Sequence, residues 1–103
     1  MTILKAFFDE SWELPDPVQA TADGLGLEPW TGSPLTVGNE LDKLAANIAG
    51  ARDAAGVHWR TDLVEGLRLG EQVALGILEE QKASHDQGFT WTVRRFDGST
   101  ITI

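Results

Sequence analysis

The sequence predicts a mainly α-helical fold, part of a helical bundle of about three helices, that ends in a C-terminal β-hairpin. Residues 37–55 and 61–82 carry apolar side chains at the three- and four-residue spacing of amphipathic helices. Residues 89–103 instead alternate apolar and polar side chains around Asp97-Gly98, a pattern typical of a hairpin. With 103 residues, the chain has the length of one domain or of part of one.

The N-terminal third contains one short predicted helix and one long predicted loop. Residues 2–9 suit a helix with one apolar side, although no capping residue or early acid opens it. Residues 10–35 hold all 4 prolines and are predicted to be a loop, which Trp12 and Trp30 should anchor by burying their rings. Because structureless loops beyond roughly 12–15 residues are uncommon in compact domains, this one should wrap a partner surface or cross between elements of a larger structure.

The helix predicted at 37–55 has clear signals at both ends. Thr36 is its expected N-cap, and Gly56 is positioned to end it. The C-terminal half of this helix is rich in alanine and glycine. Another backbone or a ligand can therefore approach it closely.

The helix predicted at 61–82 should begin at Thr61 or Asp62, with Glu65 completing a capping-box-like pair. Its apolar residues extend well beyond a single face. A helix of that kind needs neighbours on more than one side. We therefore expect either a homo-oligomer or a missing N-terminal segment that packs against it.

The register of the C-terminal hairpin follows from the length of its turn. A three-residue turn, with Gly98 in the left-handed conformation, pairs Val93 with Ile101 and collects the apolar side chains on one face. A two-residue turn would mix the faces, so we predict the three-residue turn. An isolated hairpin is only marginally stable in water, and its apolar face should therefore pack on a helix or on another subunit.

Composition disfavours several classes of partner. The formal net charge of -8 argues against nucleic acid, whose phosphates require a basic surface. No apolar run approaches the roughly 20 residues that span a bilayer, and residues 1–5 lack the order of a secretory signal peptide. We therefore expect a soluble chain that binds neither nucleic acid nor membranes, in a compartment that the sequence leaves open.

The link between the two long helices contains the candidate functional residues. Arg52 lies near the end of the first helix, His58 in the link, and Asp62 at the start of the second. A helix N-terminus favours anions, and arginine presents a planar fork that suits tetrahedral oxyanions. Asp62 is spaced to hold one nitrogen of His58, which leaves the other free as a metal ligand or nucleophile. The alternative is an Arg52–Asp62 salt bridge across the turn, with His58 only capping the helix.

This spacing resembles the third signature motif of the family that joins vanadium-dependent haloperoxidases to type 2 phosphatidic acid phosphatases. The motif consists of Arg52, five further residues, His58, three further residues and Asp62, with Gly56 two residues before the histidine. It often begins with Ser-Arg, whereas this chain has Ala51 before the arginine. The stretches 44–49, 56–62 and 67–71 and the turn at 95–98 are similar to the bromoperoxidase branch, so the resemblance spans nearly the whole chain.

The resemblance implies a role for each of the three residues. Arg52 would bind the oxygens of vanadate, or of phosphate in the same site. His58 would ligate the vanadium or, in a phosphatase, become phosphorylated, and Asp62 would orient His58. Hydrogen peroxide and halide would be the substrates of the full enzyme.

The other two signatures of the family are absent from these residues. No lysine is followed by Arg-Pro at the family's spacing, and Pro-Ser-Gly-His does not occur. The resemblance therefore implies the C-terminal part of a vanadium-dependent haloperoxidase, which alone should show little or no peroxidase activity. Two alternatives stay open: a non-catalytic, stand-alone helical homo-oligomer, and a phosphatase of the same superfamily.

Overall fold

The computed structural model describes residues 1–85 and 88–103 and confirms a mainly helical fold with a C-terminal hairpin. Within these residues the helices are Thr2–Phe7 (α1), Val37–Ala54 (α2) and Arg60–Ala83 (α3). The strands form two antiparallel pairs, Val18–Ala20 (β1) with Leu27–Pro29 (β2) and Thr92–Arg94 (β3) with Thr100–Thr102 (β4). In the described part of the chain, no helix combines the length and apolar character needed to cross a membrane.

The stretch at 10–35, predicted to be an irregular loop, contains the small β1–β2 hairpin. Its turn is closed by side chains: Thr21 Oγ1 accepts a hydrogen bond from the Gly26 amide at 3.0 Å, and Asp23 Oδ1 accepts one from the Leu25 amide at 3.0 Å. Aspartate and threonine commonly stabilise turns through such local bonds. The prediction of an irregular loop did not use this signal. The expected anchoring by two buried tryptophan rings is wrong, because Trp12 is 53% exposed and Trp30 is 38% exposed.

The helix ends follow the local chemistry of single residues. Helix α1 ends at Phe7, two residues earlier than predicted, because the backbone of Phe8 is extended (ψ 150°). Thr36 caps α2 as predicted, since its Oγ1 accepts a hydrogen bond from the Asn39 amide at 3.3 Å. The prediction that Thr61 or Asp62 begins α3 is wrong. That helix starts at Arg60, with Trp59 as its N-cap.

The C-terminal hairpin has the predicted register. Val93 pairs with Ile101, and Trp91 and Ile103 exchange two backbone hydrogen bonds of 3.0 and 2.9 Å. Gly98 has a φ of +85°, so the three-residue turn places its glycine in the left-handed conformation. The apolar face of this hairpin packs on α1 and α3.

The core is small and lies between the hairpin and α3. Leu75 and Leu78 of α3 meet Val93 and Ile103, with Ile3 of α1 packed against them. This burial removes apolar surface from water and so orients the C-terminal half of α3 against the hairpin. The N-terminal half of α3, which begins at the candidate site, packs instead along α2.

A buried ionic cluster fastens the hairpin to α1 and α2. Lys5 is 2% exposed; its Nζ donates to the Arg94 carbonyl oxygen at 2.9 Å and forms an ion pair with Asp42. Glu10 lies 3.8 Å from the same ammonium group, and the ring centroid of Phe96 lies 5.0 Å from it. A buried charge is tolerated when it is paired and hydrogen-bonded, and these contacts meet that requirement.

One apolar side of α3 faces solvent. Leu69, Val73 and Ile77 follow one another at four-residue spacing and are 63%, 56% and 46% exposed. The radius of gyration, 16.7 Å, exceeds the ~13 Å of a compact domain of this length. The described residues therefore form an open layer. The further neighbour expected for α3 stays a prediction.

Candidate functional site

The turn between α2 and α3 brings the ends of the two helices together. Gly56 has a φ of +72°, in the left-handed region that residues with a side chain rarely adopt, and its amide donates to the Asp53 carbonyl at 2.9 Å. The Val57 amide donates to the Arg52 carbonyl at 3.3 Å. This closed turn reverses the chain within a few residues, so that His58 returns to the side of α2 that carries Arg52.

Arg52, His58 and Asp62 form a continuous chain of polar contacts. Arg52 Nη2 lies 3.4 Å from His58 Nε2, and His58 Nδ1 lies 3.3 Å from Asp62 Oδ2. The histidine thus stands between the other two residues. Within the described part of the chain, Arg52 and Asp62 form no direct ion pair, so the salt bridge considered as an alternative is wrong. That alternative also had His58 cap the helix, whereas Asp62 accepts the hydrogen bond of the Trp59 amide at the start of α3.

Asp62 has two partners on one oxygen. Its Oδ2 accepts a hydrogen bond from the Trp59 amide at 3.0 Å in addition to facing His58 Nδ1. The first contact satisfies a free N–H at the start of α3, as the acidic half of a capping box does. The Trp59 amide, and after it the His58 contact, hold the pKa of Asp62 below its ordinary value. Asp62 is therefore a carboxylate at neutral pH.

These contacts select one tautomer of His58. A carboxylate only accepts hydrogen bonds, so the proton of the neutral imidazole resides on Nδ1, facing Asp62. Nε2 then carries the lone pair, which faces the Arg52 guanidinium. A neutral imidazole in this tautomer is a ligand for an electrophilic metal centre or a nucleophile toward phosphorus.

The three residues lie at the edge of an open pocket of about 400 Å³ between α2 and α3. Most of its wall is apolar, and the residues that line it are Met1, Ala45, Ile48, Ala49, Arg52, Asp53, His58, Asp62, Leu63, Gly66 and Leu67. The wall from α2 includes the small side chains of Ala45 and Ala49, which the sequence predicted, beside the larger Ile48. One guanidinium and one imidazole therefore lie next to an apolar surface, on which another chain segment can pack closely.

One polar residue of this pocket was missed from the sequence, namely Asp53. Its Oδ1 is buried and has no hydrogen-bond partner among the described residues. The signal was present in the spacing, because Ala45, Ala49 and Asp53 follow one another every four residues and share one side of α2. Within residues 1–85 and 88–103, no group of three or more histidine or acidic side chains is arranged to hold a metal ion.

Comparison with known proteins gives one consistent result. A vanadium-dependent bromoperoxidase of Corallina pilulifera is 49% identical to the chain over 105 aligned positions, which cover 100% of the chain. The chain is related to vanadium-dependent bromoperoxidases. The corresponding protein of Corallina officinalis is 47% identical over the same share of the chain, and that of Ascophyllum nodosum is 37% identical over 99% of it.

The alignment covers only part of each bromoperoxidase. The chain spans 17% of the length of the two Corallina proteins and 19% of the Ascophyllum protein. No family model matches the chain. These alignments confirm that the chain is related to bromoperoxidases, as the resemblance based on Arg52, His58 and Asp62 implied.

Proposed function

We propose that this chain contributes Arg52, His58 and Asp62 to the vanadate site of a vanadium-dependent haloperoxidase. The observation that carries the proposal is the ordered contact of Arg52 with Nε2 of His58 and of Asp62 with Nδ1. Kinship to bromoperoxidases over the full chain supports the same assignment. Hydrogen peroxide and a halide are the proposed substrates of the complete protein.

The residues fit an oxyanion that contains an electrophilic metal. His58 presents the lone pair of Nε2, because Asp62 holds the proton on Nδ1. Arg52 presents N–H donors next to that lone pair, in the planar arrangement that pairs with tetrahedral oxyanions. Vanadate, when bound, supplies a Lewis acid that activates hydrogen peroxide toward halide. Phosphate has the shape and charge to occupy the same position.

Each side chain has a distinct proposed task. His58 binds the metal through Nε2, Arg52 binds and neutralises the oxygens of the anion, and Asp62 orients the imidazole without touching the anion. Arg52 must move its guanidinium from His58 to the anion, since its Nη2 faces Nε2 in this structure. Because hydrogen bonds weaken with distance, breaking this 3.4 Å contact costs little free energy.

The proposal is tested by orthovanadate binding, followed by the ⁵¹V resonance, in the chain and in two histidine variants. His58→Ala should abolish binding. His85→Ala is the matched control, because His85 is exposed beyond the far end of α3 and should bind as the unaltered chain does. Equal binding by both variants would contradict the proposal.

Turnover is expected to be little or none in the isolated chain, since it carries one cationic side chain in the pocket. The measurement is bromination of a phenol with vanadate, hydrogen peroxide and bromide. Substantial bromination by the purified chain would contradict the expected inactivity. Phosphomonoester hydrolysis that vanadate inhibits would point instead to a phosphatase.

A non-catalytic helical homo-oligomer is the second candidate. The observation in its favour is the exposed apolar side of α3 formed by Leu69, Val73 and Ile77. Light scattering of the purified chain at micromolar concentration decides this point. A clean monomer would remove this candidate and leave the vanadate proposal untouched.

A further inference from the structure

A second cavity lies at the opposite end of α3 from the candidate site. It is a cleft of about 350 Å³ between α1, the C-terminal end of α3 and three residues beyond that helix, His85, Phe89 and Trp91. Because α3 has 24 residues and a helix rises about 1.5 Å per residue, roughly 36 Å separates this cleft from His58. The cleft is therefore distinct from the vanadate site proposed above.

Aromatic rings form much of the wall of this cleft. The ring centroids of Phe89 and Trp91 lie 4.7 Å apart with 69° between the ring planes, and those of Phe7 and Trp91 lie 6.4 Å apart at 60°. Leu78, which is 2% exposed, joins the cleft to the core, whereas Phe7 is 68% exposed. Rings inclined to one another in this way present both faces and edges to a further aromatic ring. The wall is thus complementary to an aromatic ligand.

The charge of the cleft restricts the ligand further. Within the part of the chain that the structure describes, no aspartate, glutamate, lysine or arginine side chain lines it, although the whole chain has a net charge of -8. An ionised ligand would lose its hydration in the cleft without gaining a charged partner, which is costly. The cleft therefore favours a neutral ligand.

His85 gives the cleft one hydrogen-bond acceptor. Its Nδ1 lies 2.8 Å from the Gln81 carbonyl oxygen, and a carbonyl only accepts hydrogen bonds, so Nδ1 carries the proton of the neutral imidazole. Ser84 Oγ donates to the same carbonyl at 2.8 Å and lies 3.1 Å from Nδ1. The lone pair is then on Nε2, which has no hydrogen-bond partner among the described residues. A ligand with one O–H donor satisfies it.

We propose that this cleft binds a small neutral phenol, whose ring packs against Phe7 and Trp91 and whose hydroxyl donates a hydrogen bond to Nε2 of His85. An aromatic hydrocarbon would leave Nε2 unpaired, an aromatic carboxylate would bring an unpaired charge, and an aliphatic alcohol would lack the ring. A volume of about 350 Å³ suits such a small molecule, and a mostly apolar wall with few polar groups is typical of ligand sites. The inference goes beyond the proposed function, since it requires neither vanadate nor His58.

The test compares 4-methylphenol with 4-methylanisole, in which a methyl group replaces the hydroxyl proton. Titrations are run at about pH 8, where free imidazole and free phenol are both uncharged. The ¹⁵N shifts of the Trp91 indole and of the His85 imidazole report binding. The phenol should bind about two- to tenfold more tightly than the ether, the range that one net hydrogen bond provides. Burial alone would favour the ether, because it is the more apolar molecule.

Variants separate the hydrogen bond from the aromatic wall. His85→Phe keeps a ring beside Phe89 and removes the acceptor, so the preference for the phenol should disappear. His85→Ala is a second variant for the case in which the phenylalanine form does not fold. Phe7→Ala should weaken both ligands by about two- to tenfold. Leu25→Ala is its matched control, because Leu25 is 88% exposed in the β1–β2 turn and should bind both ligands as the unaltered chain does.

The outcomes decide the assignment directly. Equal affinities for the phenol and the ether, or a preference for the phenol that persists without the His85 imidazole, would overturn it. So would the absence of a saturable shift at Trp91. Shifts at Trp91 that follow protein concentration in the absence of phenol would show that a second copy of the chain occupies the cleft, and would also contradict the proposal. None of these readouts involves orthovanadate, so failure of the vanadate site and failure of the phenol site are separable.

Discussion

His58 Nδ1 lies 3.3 Å from Asp62 Oδ2, and the same oxygen accepts the Trp59 amide proton at 3.0 Å. One carboxylate oxygen therefore caps the N-terminus of α3 and holds the proton of His58 on Nδ1. Because Trp59 is the N-cap of α3, the position of the imidazole is tied to the start of that helix. The geometry of the site and the local stability of α3 are thus coupled through Asp62.

Replacing Asp62 with asparagine should disturb the tautomer of His58. The amide group of asparagine offers a donor as well as an acceptor, so a fraction of His58 should shift its proton to Nε2 and lose the ligating lone pair. Loss of a partner that orients a metal ligand typically costs 10- to 100-fold in affinity, so orthovanadate binding should fall by at least about tenfold. The measurement is imidazole ¹⁵N NMR together with vanadate titration. Unchanged tautomer and affinity would show that Asp62 does not orient the histidine.

Acid should destabilise the chain through four exposed carboxylates. Local hydrogen bonds hold the pKa values of Asp9, Asp23, Asp62 and Asp97 below the ordinary 3.8. Because each pKa is lower in the folded chain, their stabilising contribution is complete above pH 3.8 and is lost as the pH falls through the folded-state values. Urea unfolding over about pH 2 to 6 measures the loss. Asp62→Asn should flatten the dependence of the unfolding free energy on pH, and a slope equal to that of the unaltered chain would contradict this assignment.

Replacing Lys5 with methionine should destabilise the fold strongly. The change leaves Asp42 and Glu10 without the buried ammonium group that pairs with both, and breaking such a cluster costs about 3–5 kcal/mol. Lys43→Met is the matched control, because Lys43 forms an exposed ion pair with Glu40 that is worth less than about 1 kcal/mol. Chemical denaturation gives both values. Similar losses of unfolding free energy in the two variants would show that burial of the Lys5 ion pairs does not increase their contribution to stability.

Alanine substitutions at two glycines should change stability in opposite directions. Gly56→Ala forces a side chain into a φ of +72° and should cost about 1–2 kcal/mol, and it should also weaken oxyanion binding by displacing His58. Gly76 lies within α3, where a Cβ contacts nothing within 4 Å, so Gly76→Ala should stabilise by about 0.5–1 kcal/mol. Urea denaturation of both variants measures the difference. A stabilising effect at position 56 would contradict the turn geometry described above.

Local signals in the sequence predicted most of the secondary structure. The cap at Thr36, the left-handed Gly98 and the pairing of Val93 with Ile101 depend on neighbouring residues and were predictable for that reason. The start of α3 was misplaced because Asp62 resembles an N-cap residue, whereas its carboxylate reaches back to the Trp59 amide. A single sequence does not distinguish these two uses of one aspartate.

Contacts between distant parts of the chain were beyond sequence reasoning. The partners of Lys5 lie on α2 and the hairpin, up to 89 positions away, and no local pattern marks that lysine as buried. The candidate site was predictable because Arg52, His58 and Asp62 lie within eleven residues joined by a single turn. Asp53 was overlooked because only the packing of the helices shows that its Oδ1 is buried and has no hydrogen-bond partner among the described residues.

The most direct measurement of the vanadate site is the ¹⁵N spectrum of the His58 imidazole during titration with orthovanadate. Before addition, the spectrum should show the proton on Nδ1 and the lone pair on Nε2. Orthovanadate should then shift Nε2 of His58 saturably, leave His85 unchanged, and lose this effect when Arg52 is replaced by alanine. A saturating concentration of orthovanadate that leaves Nε2 of His58 unmoved, or that shifts both histidines alike, would contradict ligation by His58.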